Sequence, residues 1–285
     1  MKQDWRIIAA TLAVPVLATA AQPVVLEDVL TRITAYVSEF IPRFAGVVAT
    51  EKYEQRLRLS ATSTQSRAER RLKADLLLVQ DPSAPQDWLV FRDVLEVDGK
   101  VRQQQPDRLV QLFVTPAADA AARAAAIAAE GARLHVPGSS PLVTNPLFAL
   151  ALMQSRYRPA LRFSLGGEER SLGREVRAIR FEERDETPPL FADLGRVRGT
   201  VWAEQGTGRI VKTEARVGRG ASTATTTTTF VRNERLALTV PREMRTMWLY
   251  SEGAIGTISG PVNGVATYDE FRRFSVRADV VVQKP

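Results

Sequence analysis

The chain has 285 residues, of which 45% are hydrophobic and 25% charged, a composition typical of a globular protein with one or two domains. It contains no Cys and one His, His135, which excludes a thiol nucleophile, an iron–sulfur cluster and any metal site with two His ligands. The formal charge of +7 comes from 39 basic residues, 33 of them Arg, against 32 acidic ones. Because the bases are interspersed with acids and no nucleic-acid-binding module is recognisable, we interpret them as solvent-facing residues and expect no nucleic-acid partner.

The first residues follow the three-part pattern of a secretory signal peptide. Lys2 and Arg6 precede an uncharged, largely apolar segment, 7–21, which contains the small-residue sequence Ala18-Thr19-Ala20. The segment is shorter than the about 20 apolar residues of a membrane span. We therefore predict that residues 1–20 are a signal peptide and that 21–285 form a single exported domain. Export without any Cys favours the periplasm of a bacterial cell envelope, and no transmembrane span is expected after cleavage.

An amphipathic helix and a long strand are predicted next. Apolar residues recur at three- and four-residue spacing from Leu26 to Phe44, and Pro42 and Gly46 are expected to end the helix. From 46 to 59 the period changes to two, which is typical of a half-exposed antiparallel strand. The residues assigned to its apolar face are Val47, Ala49, Tyr53, Leu57 and Leu59.

The middle of the chain combines strands with helices. Segments 72–79 and 88–97 are strand-like, and Asp98-Gly99 is a tight-turn dipeptide that predicts a hairpin. Segment 117–130 contains ten Ala and predicts a helix that Gly131 ends. A second helix is expected to begin near Asn145 and to run through Met153.

The C-terminal half predicts mainly strands and hairpins. The strand-like segments are 198–204, 209–217, 223–231, 236–240 and 274–282, of which the last alternates most regularly. The predicted fold class is α+β, with an antiparallel sheet, an N-terminal helix and helices inserted into the sheet.

Recognisable catalytic patterns are missing from the sequence. It has no G-x-S-x-G nucleophile elbow, no P-loop and no dinucleotide fingerprint. The acidic pairs, such as Glu182-Glu183, are adjacent, so the two carboxylates of a pair point to opposite faces of a strand. We assign no catalytic residue, no metal ligand and no cofactor. An enzyme whose carboxylates converge from different strands is the less favoured alternative.

The order of elements and three segments carry a family resemblance. The hairpin 199–213 has the pattern of a strand, a Trp and a turn with Thr-Gly-Arg, and segments 238–244 and 266–276 follow it. In this layout the chain resembles the periplasmic lipoprotein-carrier and outer-membrane lipoprotein-sorting superfamily. The resemblance implies a strongly curved, open half-barrel with helices on its concave side. It also implies a hydrophobic cavity without catalytic residues.

The favoured function is the binding or carriage of a lipid or lipidated protein. Apolar pockets are the usual small-molecule sites, and aromatic side chains are expected to line this one. The predicted lining residues are Trp88, Phe91, Trp202, Phe230 and Trp248. The alternative is a non-catalytic interaction or sensor module of the cell envelope with a filled core, in which these residues are ordinary core aromatics. The helical segments argue against an outer-membrane barrel.

Overall fold

A computed structural model describes residues 25–58, 66–80, 88–102, 108, 111, 120–136, 143–171, 173–220, 222–249 and 261–273. The predicted signal peptide lies outside these residues, as does the predicted strand at 274–282. Within the described part of the chain, no helix is both long enough and apolar enough to cross a membrane.

Eleven strands form the sheet, and together they account for most of the described chain. They are β1 Val47–Arg58, β2 Ser66–Gln80, β3 Trp88–Val97, β4 Lys100–Val101, β5 Leu161–Ser171, β6 Arg174–Glu183, β7 Arg196–Ala203, β8 Ile210–Arg219, β9 Ser222–Asn233, β10 Leu238–Leu249 and β11 Val262–Arg273. Helices in the described ranges include α1 Leu26–Phe44, α2 Ala120–Ala132 and α3 Phe148–Ala151, and a 3-10 helix spans Ser155–Ala160.

All strands belong to one antiparallel sheet in the order β4-β3-β2-β1-β11-β10-β9-β8-β7-β6-β5. The first long strand, β1, therefore pairs with the last described strand, β11, for example through Tyr53 and Ala266. The two edge strands, β4 and β5, do not pair with each other, so the sheet is open. This architecture confirms the predicted α+β half-barrel.

Helix α1 packs its apolar stripe into the main core. The buried residues of this stripe are Val29, Leu30, Ile33, Val37, Phe40, Ile41 and Phe44. They recur at helical spacing, which is why one face of the helix is buried and the other is exposed to solvent. The helix continues through Pro42 and ends at Phe44, and Gly46 follows with a φ of 74°. The turn into β1 therefore uses a backbone conformation that glycine adopts without strain.

The hairpin between β3 and β4 forms where the sequence predicts it. Asp98 and Gly99 have φ values of 51° and 80°, as a tight two-residue hairpin turn requires. Strand β1 also alternates as predicted, with exposed Lys52, Glu54 and Arg56, but near its start Val48 and Thr50 are buried as well. The half-exposed pattern thus applies only beyond Thr50.

The alanine-rich helix does not stop at Gly131. Helix α2 continues through Gly131 to Ala132. A Cβ atom at Gly131 would lie 2.8 Å from the carbonyl oxygen of Arg92 and 3.3 Å from a methyl group of Val94. The glycine therefore lets the helix approach β3 closely, and its role is packing rather than termination. The second predicted helix is shortened to the four residues of α3.

Candidate functional site

Polar side chains lie in the middle of the buried face of β1. Glu51 and Gln55 alternate with Tyr53 on the inward side of this strand, and all three are fully buried. A buried carboxylate or amide requires hydrogen-bond partners because its desolvation is costly. The partners come from β3 and from the segment that leads into α3.

Arg92 on β3 provides the counter-charge for Glu51. Its Nη2 donates to Glu51 Oε1 at 2.9 Å, and its Nε donates to Glu51 Oε2. The pair is bidentate, the geometry in which guanidinium and carboxylate bind each other best. Burial by itself would lower the pKa of Arg92, but the charge and hydrogen bonds of Glu51 outweigh it and hold the pKa above its ordinary value. Arg92 is therefore a permanent buried cation.

The same guanidinium also holds the segment that covers the concave side. Arg92 donates to the carbonyl oxygen of Thr144 at 3.1 Å and to its hydroxyl oxygen at 3.3 Å. The adjacent residue, Val143, accepts a hydrogen bond of 2.6 Å from the hydroxyl of Thr226 on β9. The segment before α3 is thus attached to both halves of the sheet by polar contacts.

His135 completes the polar cluster. Its Nδ1 lies 3.1 Å from Gln55 Oε1, which also accepts from the backbone N–H of Val136 at 3.0 Å. Burial, assisted by the positive charge of Arg92, lowers the pKa of His135 to about 3. The imidazole is therefore neutral at physiological pH and serves as a structural hydrogen-bond partner of Gln55.

Two tyrosines close the cluster on the β10–β11 side. The hydroxyls of Tyr53 and Thr246 are 2.8 Å apart, and burial raises the pKa of Tyr53 to about 12. Burial and the charge of Glu51 raise the pKa of Tyr268 well above its ordinary value. Both phenols remain protonated at neutral pH, so each keeps an O–H group that can donate a hydrogen bond.

A cavity of about 190 Å³ lies beside this cluster, between α2 and β3. Its lining residues are Val90, Arg92, Ala128, Ala129, Ala132, His135 and Thr144. Small apolar side chains thus form most of the wall, while Arg92, His135 and Thr144 place the polar groups. An apolar wall with a few convergent polar groups is the usual composition of a small-molecule site.

The structure describes the side chains of four of the five predicted aromatic residues, and it does not bring these four together. Phe230 and Trp248 lie in the main core, whereas Trp202 lies in a separate cluster with Val176, Ala178 and Val211, where the ammonium of Lys212 is 4.1 Å from its ring centroid.

Phe91 is buried and, by strand alternation, lies on the opposite face of β3 from Arg92. Trp88 begins β3, and its side chain is outside the described residues. Phe91, Trp202, Phe230 and Trp248 are not among the residues that line the cavity beside Arg92, and contact of the five predicted residues with a ligand stays a prediction.

Sequence reasoning missed Glu51, Gln55 and Arg92. A usable signal was present, because Glu51 and Gln55 occupy the inward positions of an otherwise apolar alternation. A polar residue in such a position predicts a buried partner. The identity of that partner depends on which of 33 Arg residues lies within reach, and strand order alone decides this.

No family model and no curated protein matches the sequence. Solved structures similar to this chain include an outer membrane lipoprotein-sorting protein domain from Vibrio parahaemolyticus, with 13% identity, 86% of this chain and 94% of that chain covered, and a TM-score of 0.37. A DUF1329 family protein from Desulfovibrio piger is 11% identical. The match covers 90% of this chain and 92% of that chain, with a TM-score of 0.39.

A LolA superfamily protein from Nitrosomonas europaea has 11% identity, coverages of 86% and 94%, and a TM-score of 0.35. At these identities and TM-scores, none of the three similarities assigns a family, a ligand or a function to this chain.

Proposed function

We propose that the protein is an exported carrier or binding protein for the acyl chain of a lipid or lipidated protein, which binds between α2 and β3. The cavity beside Arg92 is the observation that carries this proposal, because its wall combines small apolar side chains with one buried cation. Such a wall suits an apolar chain that ends in a polar group.

Charge pairing specifies the polar end of the ligand. The two bonds from Arg92 to Glu51 neutralise the guanidinium, so the cavity has no net positive charge to attract a free carboxylate. The remaining hydrogen bonds of Arg92 go to the carbonyl oxygen and the hydroxyl oxygen of Thr144. The neutral carbonyl of an ester or amide is chemically equivalent to that carbonyl oxygen and is the group we expect to replace it.

Helix α2 is the element that would have to move during uptake. The cavity is smaller than the about 300–1,000 Å³ of most ligand pockets, so a lipid chain requires it to widen. Helix α2 packs mainly against β3, and several of its alanines, such as Ala122, Ala125 and Ala126, are exposed. Among the described residues little apolar area holds the helix against the sheet, so we expect its displacement to cost little free energy.

The N-terminal pattern supports a place for this activity in the cell envelope. The sequence 1–20 has the charge, apolar core and small residues of a signal peptide. Export and the absence of Cys agree with a bacterial periplasm. A periplasmic carrier requires this location because it must shield acyl chains from water on their way between membranes.

The second candidate is an interaction or sensor module of the envelope with a filled core. Its support is the main core cluster, in which α1 and α3 occupy the concave side of the sheet and residues such as Ile33 and Leu150 are completely buried. In that case the cavity is a packing defect, and the protein takes up no lipid.

Crosslinking of α2 to β3 distinguishes the two candidates. Since the chain has no Cys, the double variant Val90→Cys with Ala128→Cys provides two unique thiols on opposite walls of the cavity. A short bis-maleimide joins them, and N-ethylmaleimide caps the same thiols without joining them. The matched control is Arg198→Cys with Arg216→Cys, two exposed positions paired across β7 and β8.

Uptake of a fluorescent fatty-acid methyl ester by the full chain is the measurement. We expect the crosslinked Val90/Ala128 variant to bind the probe roughly tenfold more slowly than its capped form, because uptake needs the helix to move. The crosslinked control should bind like the uncrosslinked chain. If no form binds the probe, the filled-core module is supported. Equal uptake by the crosslinked and capped forms would contradict access between α2 and β3.

A further inference from the structure

The hydrogen-bond ladder between β8 and β9 stops before either strand ends. It runs from Arg219 and Ser222 to Lys212 and Thr229. Beyond Lys212, β8 continues to pair with β7, and beyond Thr229, β9 continues to pair with β10. The two strands therefore diverge and leave a gap of about 320 Å³, which we call the β8–β9 notch.

Guanidinium groups from four different parts of the chain surround the β8–β9 notch. The basic residues that line it are Arg174, Arg209, Arg232 and Arg242. Ile210, Val211, Phe230, Val231 and Thr239 are the other lining residues. Within the part of the chain that the structure describes, no acidic residue lines the notch. These arginines are far apart in sequence, and only the sheet brings them together.

Glu204 neutralises part of this charge. It accepts from Arg209 Nε at 3.0 Å and from Arg174 Nη1 at 2.9 Å. Burial would raise the pKa of Glu204, but the hydrogen bond and charge of Arg209 outweigh it and hold the pKa below its ordinary value. One ionised carboxylate thus serves two of the arginines, and the notch retains excess positive charge.

Among the described residues, the guanidinium groups of Arg232 and Arg242 have no hydrogen-bond acceptor. Both are exposed, and neither makes a hydrogen bond or ion pair with any residue in the described ranges.

The hydroxyl of Tyr36 on α1 is buried next to Thr239, a lining residue, and has no hydrogen-bond partner of good geometry. Burial raises the pKa of this phenol, so it keeps its proton and remains a donor.

We propose that the β8–β9 notch binds a phosphate group. A guanidinium group can donate two parallel N–H···O bonds to two oxygens of one phosphate. Unpaired arginines on neighbouring strands can therefore contact the same anion. An anion of more than one charge also relieves the repulsion among the four cations. The notch is formed by β8, β9 and their neighbours, whereas the cavity beside Arg92 adjoins β3, so this site does not depend on the proposed function.

Calorimetric titration of the full chain with inorganic pyrophosphate tests the site. Co-sedimentation with phosphatidylcholine vesicles that contain phosphatidylglycerol tests whether the phosphate belongs to a lipid headgroup. The test variant is Arg232→Gln with Arg242→Gln. The control is Arg133→Gln with Arg180→Gln, which removes the same charge from two exposed arginines that have no partner in the described chain.

We expect the test variant to bind roughly tenfold more weakly than the original chain, equivalent to about 1.4 kcal/mol, and the control variant to bind normally. A selective loss with pyrophosphate identifies a soluble phosphate ligand, and a selective loss with vesicles alone identifies a headgroup. The proposal is overturned if the original chain binds neither probe or if both variants lose affinity equally.

A second variant keeps the charge and guards against misfolding. Arg232→Lys with Arg242→Lys retains two cations without the planar forks. Binding between that of the original chain and that of the Gln variant is the expected result. If the Lys variant binds as tightly as the original chain, the guanidinium geometry has no role and the proposal fails in this form.

Discussion

Arg92 on β3 reaches across β2 to form its ion pair with Glu51 on β1. The residue of β2 that pairs directly with Glu51 is Ala74, which is fully buried. A single methyl group obstructs a long side chain that crosses β2 less than a larger residue would. The small residue and the ion pair are therefore one structural unit that sequence-local patterns do not reveal.

Replacement of Arg92 by Leu should destabilise the fold strongly. The carboxylate of Glu51, which is 0% exposed, would then be buried without its partner, and such a change costs about 3–5 kcal/mol. Urea unfolding measures the loss. The double variant Arg92→Leu with Glu51→Leu should recover much of it because no charge is left buried.

An exposed ion pair between β1 and β11 is the control. Lys52 binds Asp269 at 2.8 Å, and both side chains are about half exposed. Lys52→Ala should cost far less stability than Arg92→Leu, because water and salt screen an exposed ion pair. If the losses in unfolding free energy of Arg92→Leu and Glu51→Leu add up in the double variant, the two side chains are not coupled.

The Tyr53–Thr246 contact gives a second prediction. Tyr53→Phe leaves the buried hydroxyl of Thr246 without its partner at 2.8 Å, and we expect a loss of about 1–3 kcal/mol in unfolding free energy. Combination with Thr246→Val removes both polar groups and should restore most of the stability. A double variant less stable than Tyr53→Phe would contradict this account.

Gly199 is expected to tolerate no side chain. A Cβ atom there would lie 2.6 Å from the ring of Phe181 and closer still to the carbonyl oxygen of Glu214. Gly199→Ala should therefore cost about 1–3 kcal/mol through overpacking. Gly167 has no atom within 4 Å of such a Cβ, so Gly167→Ala should be close to neutral in thermal unfolding. Equal costs at the two positions would argue against a steric cause.

His135 should make the fold sensitive to mild acid. Its pKa is about 3 in the folded protein and about 6.5 in an unfolded chain, so the unfolded state binds the proton more readily between these values. This contribution to stability is fully present above pH 6.5 and is lost as the pH falls below it, at a limiting slope of about 1.4 kcal/mol per pH unit. The free energies of unfolding at pH 6.5 and pH 5 measure this loss, in a range above the pH at which most carboxylates take up protons.

The control for this prediction is His135→Gln, which removes the titrating group and keeps a hydrogen-bond donor near Gln55. The variant should lose stability overall and should show a flatter pH dependence over the same interval. An unchanged pH dependence in the variant would assign the acid sensitivity to other groups.

Local patterns were sufficient for individual elements of this protein. The apolar spacing from Leu26 to Phe44 predicted α1, the alternation from Val47 predicted β1, and Asp98-Gly99 predicted the β3–β4 turn. These features depend on the periodicity and backbone preferences of neighbouring residues, which the sequence displays directly. The same reasoning failed at Gly131, because its role is contact with β3 and not local chain geometry.

The candidate sites depended on tertiary structure. Composition by itself established a globular chain without thiol chemistry and with a large excess of Arg over Lys, and dispersed arginines suggested only a solvated surface. The antiparallel sheet decides that Arg92 is buried against Glu51 and that Arg232 and Arg242 share a notch with Arg174 and Arg209. Strand order and register join residues that are distant in sequence, and the physical reason is that pairing between strands is non-local.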